Sequence, residues 1–319
     1  MSEGDGADRR ISRRSALGAL VGVWVAGCRD PEGSPSIVAG GGGRHRLVCT
    51  TGMVADAVRH IAGERAEVIA LFGPGVDPHK YRAKPSDVRR LRAADGIFYS
   101  GLHLEGRLAD VLGRLAARRP TFALASTIPT DRLLKEEESG PADPHVWFDV
   151  SLWRETIPAV IGGLASIDPD GETSFRANAA KLGASWDKLH LETKSRIKTI
   201  PEDRRLLVTA HDAFAYFGRQ YGIEVRGIQG ISTEDEAGVR HIDGLVDEIV
   251  RRKLPAVFVE TSVSDRNLRA LLEGCAARGH EVRIGGELYS DALGEPGSPG
   301  EDYEGMIRHN VEAIVSGLS

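Results

Sequence analysis

The chain has 319 residues, with 41 Lys and Arg against 46 Asp and Glu, a formal charge of −5 at pH 7, and only three cysteines. A mildly acidic chain in which no basic stripe is read disfavours nucleic acid as a partner. Three cysteines without a CxxC pair exclude zinc-finger and thioredoxin-type chemistry.

The first 27 residues read as a signal peptide and are set apart from the fold. Arg9, Arg10, Arg13 and Arg14 precede an uncharged, mostly apolar run over 15–27. That run is shorter than the roughly 20 residues a bilayer requires. It ends in Val25-Ala26-Gly27-Cys28, which resembles a bacterial lipobox, in which Cys28 is diacylated and becomes the mature N-terminus. Residues 12–17 also resemble a twin-arginine export signal with Ala16 in place of phenylalanine, so the export route stays open. Residues 28–45, with Pro31, Gly33, Pro35 and Gly40 to Gly43, have the composition of a flexible tether. Loss of residues 1–27 removes four arginines and three acids, leaving a net charge of −6. The remaining cysteines, Cys49 and Cys275, read as small buried apolar residues of different domains.

The body that follows suits two domains by length. Strands are predicted at 46–51, 67–72, 96–99 and 121–124, with helices at 54–61, 87–94 (capped by Ser86) and 104–117. This alternation argues for a parallel sheet covered on both faces. The loop after the second strand carries Asp77-Pro78-His79, and the tripeptide returns as Asp143-Pro144-His145. Proline fixes φ and removes a donor, so each copy reads as a rigid loop that aims an imidazole.

From about 170 to 198 there is no proline, and Phe175, Leu182, Trp186, Leu189 and Ile197 share one helical face. Pro169 suits the start of this helix and Pro201 its end. At about 28 residues it would be about 42 Å long, enough to cross a two-lobed protein. The second half repeats the first, with strands at 206–210, 224–227, 256–260 and 281–284 and helices near 213–221, 234–252 and 265–277. Residues 232–236 offer a capping-box start to the middle one.

His211 closes the first of these strands, so three histidines, His79, His145 and His211, occupy loops where doubly wound sheets bind ligands. Neutral imidazole is the commonest protein ligand for zinc and suits several transition metals. Asp291, in the loop after the last strand, is positioned as a fourth ligand, although a lone carboxylate in a glycine-rich loop is by itself better explained as a turn former. The other seven histidines read as solvated or packing residues, His103 being the best of them because it follows a strand end.

Beyond the lipobox, residues 46–319 resemble the metal-binding lipoproteins of zinc and manganese ABC importers (the TroA-like, cluster A-I solute-binding proteins). The resemblance is carried by Asp77-Pro78-His79, by 143–147, by 210–217, by 254–260 and by 285–291. It implies two α/β lobes, 46–167 and 201–319, joined by one long helix within 168–200, with a metal held in the cleft between the lobes. It further implies His79, His145, His211 and Asp291 as ligands, no catalysis, and delivery of the ion by a lipid-anchored, extracytoplasmic monomer to a permease in the cytoplasmic membrane. Some zinc members carry a histidine-rich loop before the second tripeptide; here 135–142 holds three glutamates and no histidine, which reads as a solvated charge run. Three imidazoles and a carboxylate suit zinc, and manganese, which prefers harder ligands, stands second. Manganese members of the family often carry a glutamate where His211 stands, whereas the wording of 286–291 is at home among them.

Two other classes use similar residues. A zinc hydrolase would keep an open coordination position, and the chain lacks an HExxH or GxSxG motif. A receptor for a siderophore or corrinoid would show aromatic or arginine contacts instead of converging histidines. An added adhesive role has no residue pattern in its favour. A continuous proline-free helix packed along both lobes predicts capture by ordering of the loops at His211 and Asp291, with little lobe motion.

Overall fold

The computed structural model describes residues 44–135, 140–234 and 237–319. The signal peptide, Cys28, most of the tether and the three-glutamate run lie outside the described residues. Arg44–Ser319 forms one compact unit.

In the first half, β1 (His45–Cys49), β2 (Ala66–Ala70), β3 (Gly96–Tyr99) and β4 (Thr121–Ala123) form a parallel sheet in the order β2-β1-β3-β4. Leu47 is in register with Val68 on one side and Gly96 on the other. Helices α1 (Gly52–Ala62), α2 (Pro85–Ala93) and α3 (Ala109–Ala116) complete this part. α2 and α3 pack on one side of the sheet around Leu91, Leu108, Leu112 and Leu115, while α1 joins the larger core on the other. Ser86 is not the cap of α2. Pro85 opens the helix, and Asp87 reaches back to accept the Lys84 N–H at 2.7 Å. The helix expected from 104 starts only at Ala109, after Gly106 takes φ of 44° and a 3-10 turn spans Gly106–Leu108.

Two short helices not read from the sequence, α4 (Val150–Trp153) and α5 (Ile157–Ile167), lead into α6 (Glu172–Ile197). At 26 residues α6 is about 39 Å long. Its expected apolar face is buried as a set: Phe175, Leu182, Trp186, Leu189 and Ile197.

The second half holds two parallel strand pairs, β5 (Leu206–His211) with β6 (Glu224–Gln229), and β7 (Ala256–Glu260) with β8 (Arg283–Leu288). β5 lies beside β7, so the spatial order β6-β5-β7-β8 repeats that of the first half. The helices are α7 (Ala215–Tyr221), α8 (Val239–Arg252), α9 (Arg266–Ala277) and α10 (Tyr303–Leu318), the last not foreseen. The final strand sits later than expected and takes in Gly285, where a Cβ would lie 2.8 Å from the Phe258 ring. α8 starts at Val239 instead of 234, and the Thr233 hydroxyl bonds Asp77 Oδ2.

α6 packs against α1, α4 and α5 of the first half and α7 and α10 of the second. One core is continuous through both halves. Phe148 stacks on Phe214 at 4.1 Å between ring centroids, and Trp186 meets Tyr303 edge-on at 5.0 Å. Among the described residues no helix is long and apolar enough to cross a membrane. Because Trp186 is fully buried where α6 meets α10, Trp186→Ala is expected to cost about 3–5 kcal/mol. Denaturant titration followed by circular dichroism checks this; a loss under about 1 kcal/mol would mean that α6 carries little of the core.

Candidate metal centre

The two Asp-Pro-His tripeptides build the same turn. Asp77 Oδ1 accepts the His79 N–H at 2.9 Å, and Asp143 Oδ1 accepts the His145 N–H at 2.9 Å. The carboxylate thus ties the backbone two residues on, with proline stiffening the link. Their other bonds differ. Asp143 Oδ1 also accepts from His145 Nδ1 at 2.7 Å, which aims Nε2 inward. Asp77 Oδ2 accepts instead from the hydroxyl of Thr233 in the second half at 2.6 Å. Gly106 presses on the same turn: a Cβ there would lie 2.6 Å from the His79 carbonyl oxygen. The second tripeptide does not directly follow a strand, since β4 ends at Ala123 and a bridge between Lys135 and Ala142 intervenes.

His211 ends β5, and Glu260 ends the neighbouring β7. Glu260 accepts the His211 N–H at 2.9 Å with one oxygen and the Nδ1–H at 2.6 Å with the other. This bidentate grip fixes the ring orientation and leaves Nε2 free. Asp291 follows β8 in a loop held by Trp147, whose indole N–H donates to the Ser290 carbonyl at 3.1 Å, and by Ser262, whose hydroxyl is 2.7 Å from that of Ser290.

These four loops bring the expected residues together. One donor atom from each of His79, His145, His211 and Asp291 lies within 4.8 Å of all the others. His79 Nε2 is 3.2 Å from His145 Nε2. The Asp291 carboxylate lies 3.3 Å from His211 Nε2, 3.5 Å from His145 Nε2 and 3.7 Å from His79 Nε2. All four side chains are buried, and among the described residues His211 Nε2 and both Asp291 oxygens have no hydrogen-bond partner. Buried polar atoms without partners are costly, so this arrangement calls for a cation at its centre. The chemistry fits: neutral imidazole nitrogens and a carboxylate are ordinary ligands of a divalent transition metal.

Electrostatics point the same way. Burial opposes a charge on His145, but the Asp143 carboxylate and Asp291 outweigh it and raise its pKa to about 9. Burial likewise opposes charge on His211, and Glu260 and Asp291 lift it well above the ordinary histidine range. His79 falls to about 4 through burial, with the neighbouring histidines adding repulsion against the pull of Asp291. Asp291, despite its burial, is held well below the usual carboxylate range by His211 and His145. Without a metal, His145 and His211 therefore hold protons more tightly than ordinary imidazoles, and a divalent ion competes with protons there.

His103 is exposed, and it lies outside the cluster, as do the other histidines read as bystanders; His241 and His280, for example, bond the carbonyls of Gly227 and Leu254. The backing role of Glu260 and the cross-link from Thr233 were not read from the sequence. A carboxylate closing β7, as His211 closes the adjacent β5, was the available signal for the first.

Two parallel-sheet halves, a single long helix between them and an ion-sized ligand cluster at the strand ends describe a two-lobed solute-binding protein for metal ions. Residues 47–317 match the family described as ZnuA, zinc-uptake complex component A periplasmic, and the chain belongs to that family. It is 43% identical over 273 residues to the manganese-binding lipoprotein MntA of Bacillus subtilis (strain 168), covering 86% of this chain and 89% of that protein. It is also 43% identical over 305 residues to the zinc-binding protein TroA of Treponema pallidum (strain Nichols), covering 95% of this chain and 96% of that protein. The solved structure of the periplasmic zinc-binding protein TroA from Treponema pallidum superposes with a TM-score of 0.85 at 44% identity, covering 87% of this chain and all of that one.

Glu260→Gln removes a negative charge that holds the proton on His211, so its pKa in the metal-free protein is expected to fall toward the ordinary histidine value near 6.5. Nitrogen-15 NMR of the ring across pH 5–9 reads this directly. An unchanged titration of His211 would show that Glu260 does not govern its charge.

Proposed function

We propose that this chain captures one divalent transition metal, zinc ahead of manganese, outside the cytoplasm and delivers it to an ABC-type permease in the cytoplasmic membrane. The ligands are His79, His145, His211 and Asp291. The chain works as a monomer held to the membrane through a diacylated Cys28, with lobes at 46–167 and 201–319 joined by the helix within 168–200. One observation carries the reading: three imidazoles and a carboxylate converge in a buried space with His211 Nε2 and both Asp291 oxygens unpartnered.

Ligand chemistry orders the metals. One relative is named for manganese and another for zinc at the same identity, so kinship does not separate the two. Three imidazoles favour zinc, which also binds a given nitrogen and oxygen site more tightly than manganese does. Four protein ligands leave no obvious position for a hydrolytic water, which counts against a zinc hydrolase. Donor atoms within 4.8 Å of one another enclose an ion and leave no room for a siderophore or corrinoid.

The core shared by both halves and the packing of α6 along each restrict hinge bending. Capture then proceeds by ordering of the ligand loops, and release requires the permease to disturb them, since a closed four-ligand site lets metal go slowly.

Replacing His145 by alanine is expected to weaken zinc binding at least about 100-fold, the upper end of what even an outer partner of a ligand contributes. His103→Ala should bind like the wild type. Competition titration with a chromophoric chelator measures both, and a His145→Ala protein of full affinity would overturn the ligand set. In the wild type the affinity should drop as pH falls from 8 to 6, because protons compete for the imidazoles. Small-angle scattering should give the same radius of gyration with and without zinc; a marked contraction would indicate a conventional hinge-closing clamp.

A further inference from the structure

The charge of this chain is unevenly placed. Residues 80–119 contain ten lysines and arginines against four acids, a net of +6 within a chain of −5. The sequence reading of no basic stripe is thereby corrected. Of the four acids, Asp87 and Glu105 are buried, and Asp95 accepts the backbone N–H of Arg46 at 2.8 Å. Asp110 is the one left exposed without such a tie. α2 and α3 contact one another and cover the same side of the first sheet, so their solvent faces form one surface. Lys84, Arg89, Arg92, Arg114, Arg118 and Arg119 are exposed there, and none makes an ion pair among the described residues.

The chain enters the fold at the edge of this surface. Asp95, just past α2, pairs with Arg46 through both its N–H and its side chain. The Ile97 N–H bonds the Pro120 carbonyl at 2.9 Å, so Arg118 and Arg119 stand at the same strand-start end. Cys28 precedes Arg44 by 16 residues, a length that reaches at most about 55 Å when extended.

We propose that the outer face of α2 and α3 rests on anionic phospholipid headgroups. Lipid is favoured over other polyanions by the Cys28 anchor proposed above, which would hold this face within reach of the bilayer. A single exposed arginine adds little, but a cluster of six on one surface is attracted to an anionic bilayer, and salt screens that attraction. The metal site lies at the opposite ends of the strands from Arg118 and Arg119.

The test uses the full chain carrying Cys28→Ala, so that the protein surface is read without the acyl chains. Co-sedimentation compares vesicles of phosphatidylcholine alone with vesicles containing phosphatidylglycerol, at low and high salt. A patch variant (Arg89→Gln, Arg92→Gln, Arg118→Gln, Arg119→Gln) is set against a variant with equal charge change on the second half (Arg204→Gln, Arg240→Gln, Arg251→Gln, Arg266→Gln), both checked for zinc binding. The expected result is salt-sensitive partitioning into the anionic vesicles that falls at least about tenfold in the patch variant and less than about twofold in the other. No partitioning, equal loss in both variants, or indifference to phosphatidylglycerol would overturn the proposal. Equally tight, patch-dependent binding to duplex DNA would make the face a general polyanion surface and remove the lipid assignment. Separately, wild-type chain that takes up no labelled fatty acid would refute the Cys28 anchor while leaving the vesicle result to stand by itself.

Discussion

A carboxylate and three imidazoles share a buried space in which, among the described residues, the carboxylate oxygens find no hydrogen-bond donor. Removing a charge from water costs several kcal/mol even after relaxation, so such an arrangement persists only if something compensates it. The raised proton affinity of His145 and His211 offsets part of that cost, and a divalent cation facing all four candidate ligands would offset more of it. The rest of the structure serves to keep these groups apart from water and aimed at one point.

Each histidine is backed differently. His145 is aimed by the Asp143 carboxylate within its own turn, His211 by Glu260 from a neighbouring strand, and His79 by its backbone alone, through an Asp77 that Thr233 holds from the second half. Outer partners of this kind fix tautomer and orientation. His79 is thus the candidate ligand whose ring is least constrained, and it is also the one whose protonation is suppressed. The continuous core and α6 set the distance between the two sets of loops. A site split between halves stays assembled because the halves themselves are packed as one body.

Much of this was legible in the chain. Strand alternation pointed to the architecture, and the histidines in loops pointed to one metal site, because a parallel sheet forces its functional loops to one end; Asp291 joined them only through the family resemblance. The proline-free apolar face of α6 was equally plain. Element starts were read less well, since they depend on tertiary partners: Thr233 looked like a helix cap and instead holds Asp77, and Ser86 yielded to Pro85 and Asp87. Glu260 lay within a strand pattern, and only the placement of β5 beside β7 reveals that it meets His211. The basic flank was hidden by a net charge that averaged two unlike halves.

Zinc K-edge X-ray absorption on stoichiometrically loaded wild-type protein tests the central claim most directly. Imidazole multiple scattering corresponding to three histidines, with nitrogen near 2.0–2.1 Å and carboxylate oxygen at about 2.0–2.2 Å, is the result expected of the four-residue site. A shell with fewer than three imidazoles, or one containing sulfur, would contradict it.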